Sequence, residues 1–251
     1  MNKATRLQYL QAMEIDVWIP RDSHGSDTEL PKTVEQALVE ADSVAKTTAP
    51  AKISTLEEID EFGQNNGKNW QELEHQVASC QQCSLCQTRT QTVFGSGSKT
   101  AEWMLIGEAP GFDEDREGMP FVGRAGQLLT EMIRALGLAR DDVYIANMLK
   151  CRPPNNRDPE SEEVASCNAY LKQQIAMVQP KIILALGRVA GQNLLQTGEP
   201  LRELRGKVHY LDKIPVIVIY HPAYLLRSLL EKRKAWQDLQ IALKFFRSEK
   251  S

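Results

Sequence analysis

The sequence predicts an α/β protein, with a parallel β-sheet covered by helices on both faces. Three observations carry this. Four short, almost wholly apolar runs recur along the chain, at Trp103–Ile106, Val143–Ala146, Ile182–Leu186 and Val216–Tyr220. Strands buried on both faces read as such runs, whereas half-exposed strands alternate. Helical stretches separate the four runs, the order expected of parallel strands joined by crossovers. The third observation is bulk: 42% of the 251 residues are apolar and 25% are charged, which suffices for a packed core and excludes global disorder.

Taken in order, residues 1–20 form a short apolar segment. Leu7, Leu10, Met13 and Trp18 line one side of a helix that runs into an extended IDVWIP. Residues 21–53 change to Ser, Asp, Thr, Pro and Ala, with PKT and TTAPAK as breakers, and read as a flexible linker. Residues 54–76 are a helical lead-in: Ser54-Thr-Leu-Glu57 has capping-box spacing, and a helix around Trp70–Val77 leads into Cys80. Residues 77–251 form the main domain. Its helices are expected at Gly126–Leu136, Ser161–Val178 and Arg188–Leu195, with a last amphipathic helix at Lys234–Arg247.

No stretch approaches the roughly 18 uninterrupted apolar residues that span a bilayer, and the N-terminus lacks the apolar core of a secretory signal. A soluble cytoplasmic protein with no membrane partner is expected. The formal net charge of −3 hides an asymmetry. Residues 1–75 hold 7 basic and 14 acidic side chains, whereas residues 201–251 hold 11 and 5. A surface for a polyanion therefore belongs to the C-terminal segment.

Ligands of a parallel α/β sheet bind beyond the carboxyl ends of its strands. Here those ends carry Glu108 in GEAPG, Asn147, and His221 in HPAYLLR. Each alone has an ordinary structural explanation, as a turn cap, a loop tie or a corner. Together a carboxylate, a carboxamide and an imidazole at the tips of one sheet converge on one crevice. GEAPG matches neither the GxxxxGK[ST] nor the GxGxxG phosphate loop, so nucleotide-binding readings lose their support.

Cys80-Gln-Gln-Cys83 is a CxxC pair, Cys86 repeats the spacing, and Cys151 and Cys167 follow beyond the second strand. Five cysteines so spaced are not a secreted disulfide scaffold. Four thiolates suit tetrahedral zinc or an iron–sulfur cluster, and the residues alone do not separate the two.

CQQCSLCQTRTQTVFGSG, GEAPGFDED, GMPFVGRAGQLL, NMLKCRPPNNRDP and HPAYLLR, in this order, resemble the family 4 uracil-DNA glycosylases, the iron–sulfur branch of that superfamily. The resemblance spans roughly residues 77–243. It implies a three-layer α/β/α domain around a central four-stranded parallel sheet, acting on uracil-containing DNA as a monomer. It also implies a [4Fe–4S] cluster on Cys80, Cys83, Cys151 and Cys167, with Cys86 outside the ligand set.

The activity implied is base excision repair: uracil is flipped out and its N-glycosidic bond hydrolysed, leaving an abasic site. In the roles implied, Phe121 stacks on the base and Asn147 reads its edge. Ala109 offers a backbone N–H. His221 stabilises charge on uracil O2, and Glu108 orients or deprotonates water. Glu114 is a second carboxylate, near uracil C5, and the alternative catalytic group for the water; Leu225 is the wedge that fills the vacated stack, and Arg227 holds a phosphate.

A related subfamily carries a histidine in a basic insertion after PFVG. Here Gly123-Arg-Ala-Gly126 passes straight into a helix, with no insertion. A non-enzyme alternative is a DNA-binding or redox-sensing iron–sulfur module on the same fold, against which Glu108, Asn147 and His221 all argue. Residues 1–20 either fold back on the domain or form a partner-binding peptide. RLQYLQAMEIDVWIPR is similar to the start of the bacterial clamp-loader psi subunit, by which psi binds chi. That likeness implies a replication-associated partner in a bacterial, nucleoid-associated setting.

Overall fold

The computed structural model describes residues 66–249. The segments expected at 1–20 and 21–53, and the start of the helical lead-in over 54–76, lie outside the described residues.

The centre is a six-stranded sheet: β1 Ser96–Gly97, β2 Trp103–Gly107, β3 Val143–Asn147, β4 Ile182–Leu186, β5 Val208–Leu211 and β6 Ile214–Ile219, in spatial order β1-β3-β2-β4-β6-β5. The inner four, β3, β2, β4 and β6, run parallel and coincide with the four apolar runs. Both outer strands are antiparallel additions that the sequence reading lacks. β1 is two residues long and β5 is only half-buried, so neither makes an apolar run.

The helices are α1 Asn66–Ala78, α2 Phe112–Glu117, α3 Arg124–Ala135, α4 Ser161–Val178, α5 Arg188–Leu195, α6 Leu201–Leu204, α7 Pro222–Leu225 and α8 Lys232–Ser248. They form the outer two layers. Side chains alternate across a strand, so one face of the sheet presents Leu105, Ile145, Leu184 and Ile217 to Leu129 and Ile133 of α3 and Leu239 of α8. The other presents Ile106, Tyr144, Ile183 and Val218 to Leu171 and Ile175 of α4 and Leu194 of α5. Two cores share one sheet, and every parallel strand tip is left facing the same end of the molecule.

Candidate active site

Beyond the carboxyl ends of β2, β3 and β6 lies a cleft of about 400 Å³. Gly107 and Asn147 are paired at the last register position of β2 and β3. A Cβ on Gly107 would stand 2.3 Å from Asn147 Oδ1 and 2.7 Å from the Phe121 ring, so only glycine lets the two side chains meet there. Asn147 is 2% exposed, and its buried Oδ1 has no hydrogen-bond partner among the described residues. An orphaned acceptor of this kind loses several kcal/mol of hydration, on the order of 1–3. It is a position that calls for a donor from outside the protein.

His221 caps the N-terminus of α7. Its Nδ1 accepts the Ala223 N–H at 3.1 Å, so in the neutral ring the proton sits on Nε2. Burial, aided by the nearby Arg227 charge, pushes its pKa down to about 4, so the ring is a neutral donor at physiological pH. The Phe121 ring lies 5.7 Å away, tilted by 32°. Glu108 faces the same cleft. Burial, and then the Asp158 charge, raise its pKa to about 7 against the opposing pull of Arg188. No donor reaches the Glu108 carboxylate among the described residues, so it is free to engage a ligand or water.

Glu114 is differently employed. Its Oε1 accepts the N–H groups of Val122 at 2.9 Å and Gly123 at 3.1 Å, and its Oε2 accepts that of Gly111 at 3.1 Å. It ties the GEAPG loop to the PFVG loop. On the other side, Arg140 Nη2 donates to the carbonyls of Pro120 at 2.7 Å and Phe121 at 3.1 Å. An anion thus holds the N–H groups and a cation the carbonyls of one short loop. Between them Phe121 is held at φ +54°, a left-handed conformation that a residue with a bulky side chain seldom adopts unsupported. Gly126 completes the clamp, since a Cβ there would lie 1.8 Å from the Phe121 carbonyl oxygen.

A second, smaller pocket opens where the β3–α4 connection meets the segment after α1. All five cysteines line it. Cys151 and Cys167 are buried, and burial raises both thiol pKa values, that of Cys151 to about 11. Arg89 Nη1 donates to Cys151 Sγ at 3.1 Å, the Lys150 N–H reaches Cys167, and the Tyr170 hydroxyl bonds Cys80. Among the described residues, no three His, Cys, Asp or Glu side chains converge closely enough for one metal ion. An all-thiol set around a shared space, with a cation at its edge, fits a polynuclear iron–sulfur cluster, whose thiolates stand farther apart than those around a single zinc.

Residues 94–240 match the uracil DNA glycosylase superfamily. A type-4 uracil-DNA glycosylase of Archaeoglobus fulgidus is 47% identical over 163 residues, covering 62% of this chain and 82% of that protein. One of Sulfurisphaera tokodaii is 47% identical over 176 residues, covering 64% and 80%. One of Thermotoga maritima is 41% identical over 181 residues, covering 70% and 94%. The chain belongs to the type-4 uracil-DNA glycosylases.

Of the residues singled out in the sequence, Glu108, Ala109, Glu114, Phe121, Asn147, His221 and Arg227 all line this type-4 cleft. Leu225 does not. It is 1% exposed and packs against Leu128 and Met132 of α3 and Leu239 of α8. A side chain so enclosed cannot enter a base stack without opening the core, so the wedge reading fails for Leu225. The exposed residue of that helix is Tyr224. Sequence reasoning also missed Arg140, Asn156, Arg157 and Asp158. The last three line the cleft, and the NNRDP motif that carries them was the available signal.

Proposed function

We propose that this chain excises uracil from DNA by hydrolysing its N-glycosidic bond. The observation that carries the proposal is the unpartnered Asn147 Oδ1, which meets the Phe121 ring over Gly107 in the cleft that His221 also lines. Uracil supplies what that atom lacks: its N3–H donates to Oδ1 while its O4 accepts from Nδ2. Cytosine presents the reverse pattern, and pairing it would leave buried groups unmet.

The base must leave the duplex to reach this floor. Phe121 then covers one face of the ring, and Arg227 at the rim holds a backbone phosphate. As the C1′–N1 bond breaks, its electron pair passes into uracil and charge builds on O2, where His221 Nε2–H donates. The sugar gains positive character, which the Glu108 carboxylate offsets. A water oriented by Glu108 bonds to C1′, gives up its proton to that carboxylate, and leaves an abasic site. A base whose pKa lies near 7 suits this step.

Cys80, Cys83, Cys151 and Cys167 would hold a [4Fe–4S] cluster, with Cys86 as their neighbour. When bound, it supplies a rigid cross-link between the segment after α1 and the β3–α4 connection. Among the described residues no helix is long and apolar enough to cross a membrane. Residues 1–20, on the linker 21–53, would act as a partner-binding peptide that raises the enzyme's local concentration at replication sites.

Incubation with a labelled uracil-containing oligonucleotide should release free uracil and leave an alkali-labile abasic site; an intact oligonucleotide would overturn the proposal. Deleting residues 1–50 should leave excision unchanged. Loss of excision would show that the segment is part of the domain.

A further inference from the structure

The inward turn of Leu225 leaves open which side chain meets the DNA beside the extruded base. Tyr224 precedes Leu225 on α7, lines the cleft, and is 37% exposed. Its ring is not loose. It stacks on Tyr220 with centroids 5.0 Å apart and planes 29° from parallel. Tyr220 is fixed in turn from behind, where the Arg205 guanidinium carbon lies 4.0 Å from its ring centroid. Its hydroxyl bonds the Glu231 carboxylate. Arg205 is anchored by a buried pair, its Nε and Nη2 reaching Asp238 Oδ2 at 2.7 and 2.6 Å. The result is a column: buried anion, guanidinium, ring, and a second ring at the rim of the cleft.

We propose that Tyr224 is a stacking platform for the nucleobase next to the extruded uracil on the same strand. This rests on the reading of the cleft as a uracil site. Extrusion strips the neighbouring base of its stacking partner on one face. That base stays one phosphodiester from the uracil, and so within reach of the rim, whereas the base opposite is on the other strand. An aromatic face takes any base, and the backing column means little side-chain freedom is lost on binding. Guanidinium over ring is a favourable contact that holds the column in register.

The test uses the full-length protein and oligonucleotides carrying 2-aminopurine beside uracil, with a 2′-fluoro uracil nucleotide for the binding measurement. Wild-type protein and Tyr224→Phe should quench the 2-aminopurine on one side of the uracil. Tyr224→Ala and Tyr224→Leu should lose that quench, Leu being the variant that keeps apolar volume without a π-face. Excision at limiting substrate should fall about 5- to 100-fold in Tyr224→Ala, on single and double strands alike. Quenching unchanged in both variants would overturn the platform while leaving the uracil site intact. A loss confined to duplex DNA and restored by Leu would overturn it in favour of a gap-filling wedge. Wild-type protein that bound the probe without releasing uracil from the natural substrate would overturn both readings.

Discussion

Asn147 and Cys151 are four residues apart at the end of β3, yet they serve two sites built on opposite terms. The first faces an open cleft in which a buried acceptor is left unpaired, a histidine is held neutral and a carboxylate is held near pH 7. The second faces a small closed pocket where thiols are already met by Arg89, Tyr170 and a backbone N–H. Unmet polar groups at one site suit transient binding of a ligand, whereas the enclosed thiols at the other suit the [4Fe–4S] cross-link proposed above. Lys150 joins the two. It is 1% exposed, and its Nζ donates to the Asn147 carbonyl at 2.9 Å and to Gln174 Oε1 at 2.6 Å.

The largest effects are expected at the thiols. Replacing Cys80, Cys83, Cys151 or Cys167 by Ala should abolish the broad absorbance near about 400 nm and leave insoluble protein, because cage formation and folding are coupled. Iron and sulfide analysis of the same preparations checks it. Colourless wild-type protein holding one zinc would contradict it. Cys86→Ala should keep the colour, and its loss would redraw the ligand set.

In the cleft the changes should fall on rate and leave the fold standing. His221→Ala is expected to slow excision about 10²–10³-fold, the usual effect of losing one donor to a developing oxyanion, with only a small fall in melting temperature from the lost cap on α7. Asn147→Asp should relax discrimination against cytosine or abolish excision, and wild-type selectivity in that variant would remove Asn147 from base reading.

The pH dependence of excision follows from Glu108. Excision needs Glu108 ionised, so kcat/KM should rise with pH and level off above about 7. His221, neutral above about 4, adds no limb in that range. Glu108→Gln should flatten the rise, and a limb that persisted would belong to another group. Stability carries the opposite sign. A carboxyl raised from 4.5 to about 7 binds its proton more readily when folded, so this group's contribution declines as pH climbs through that window.

The smallest effect is expected at Arg140. Arg140→Ala strands two carbonyls and should weaken excision about 10-fold, together with inhibition by free uracil. Arg140→Lys should recover part of both. A loss of melting temperature with no change in uracil inhibition would mean that Arg140 supports the fold and not the Phe121 loop.

The four inner strands and helices such as Ser161–Val178 were legible because burial on both faces, or along one stripe, leaves a local pattern of apolar residues. The strand-tip residues Glu108, Asn147 and His221 were legible for a related reason: a parallel sheet sends every carboxyl end to one side, so order along the chain fixes convergence in space. The edge strands were not, since β1 and β5 exist by pairing with a neighbour and bury too little to mark the sequence.

Those local patterns determined the layered sheet, the end of it that carries chemistry, and the cysteines brought within reach of one another. Tertiary structure alone decided which of two adjacent residues on α7 turns inward, and so put Tyr224, not Leu225, at the rim of the cleft. It alone committed Glu114 and Arg140 to backbone atoms, which are identical at every position and leave no trace in residue identity. It also placed Lys150 in the interior, against the preference of its type. Periodicity records how much of a segment is buried. The direction a short helix faces, and the atoms a charged side chain finds there, depend on neighbours that arrive from elsewhere in the chain.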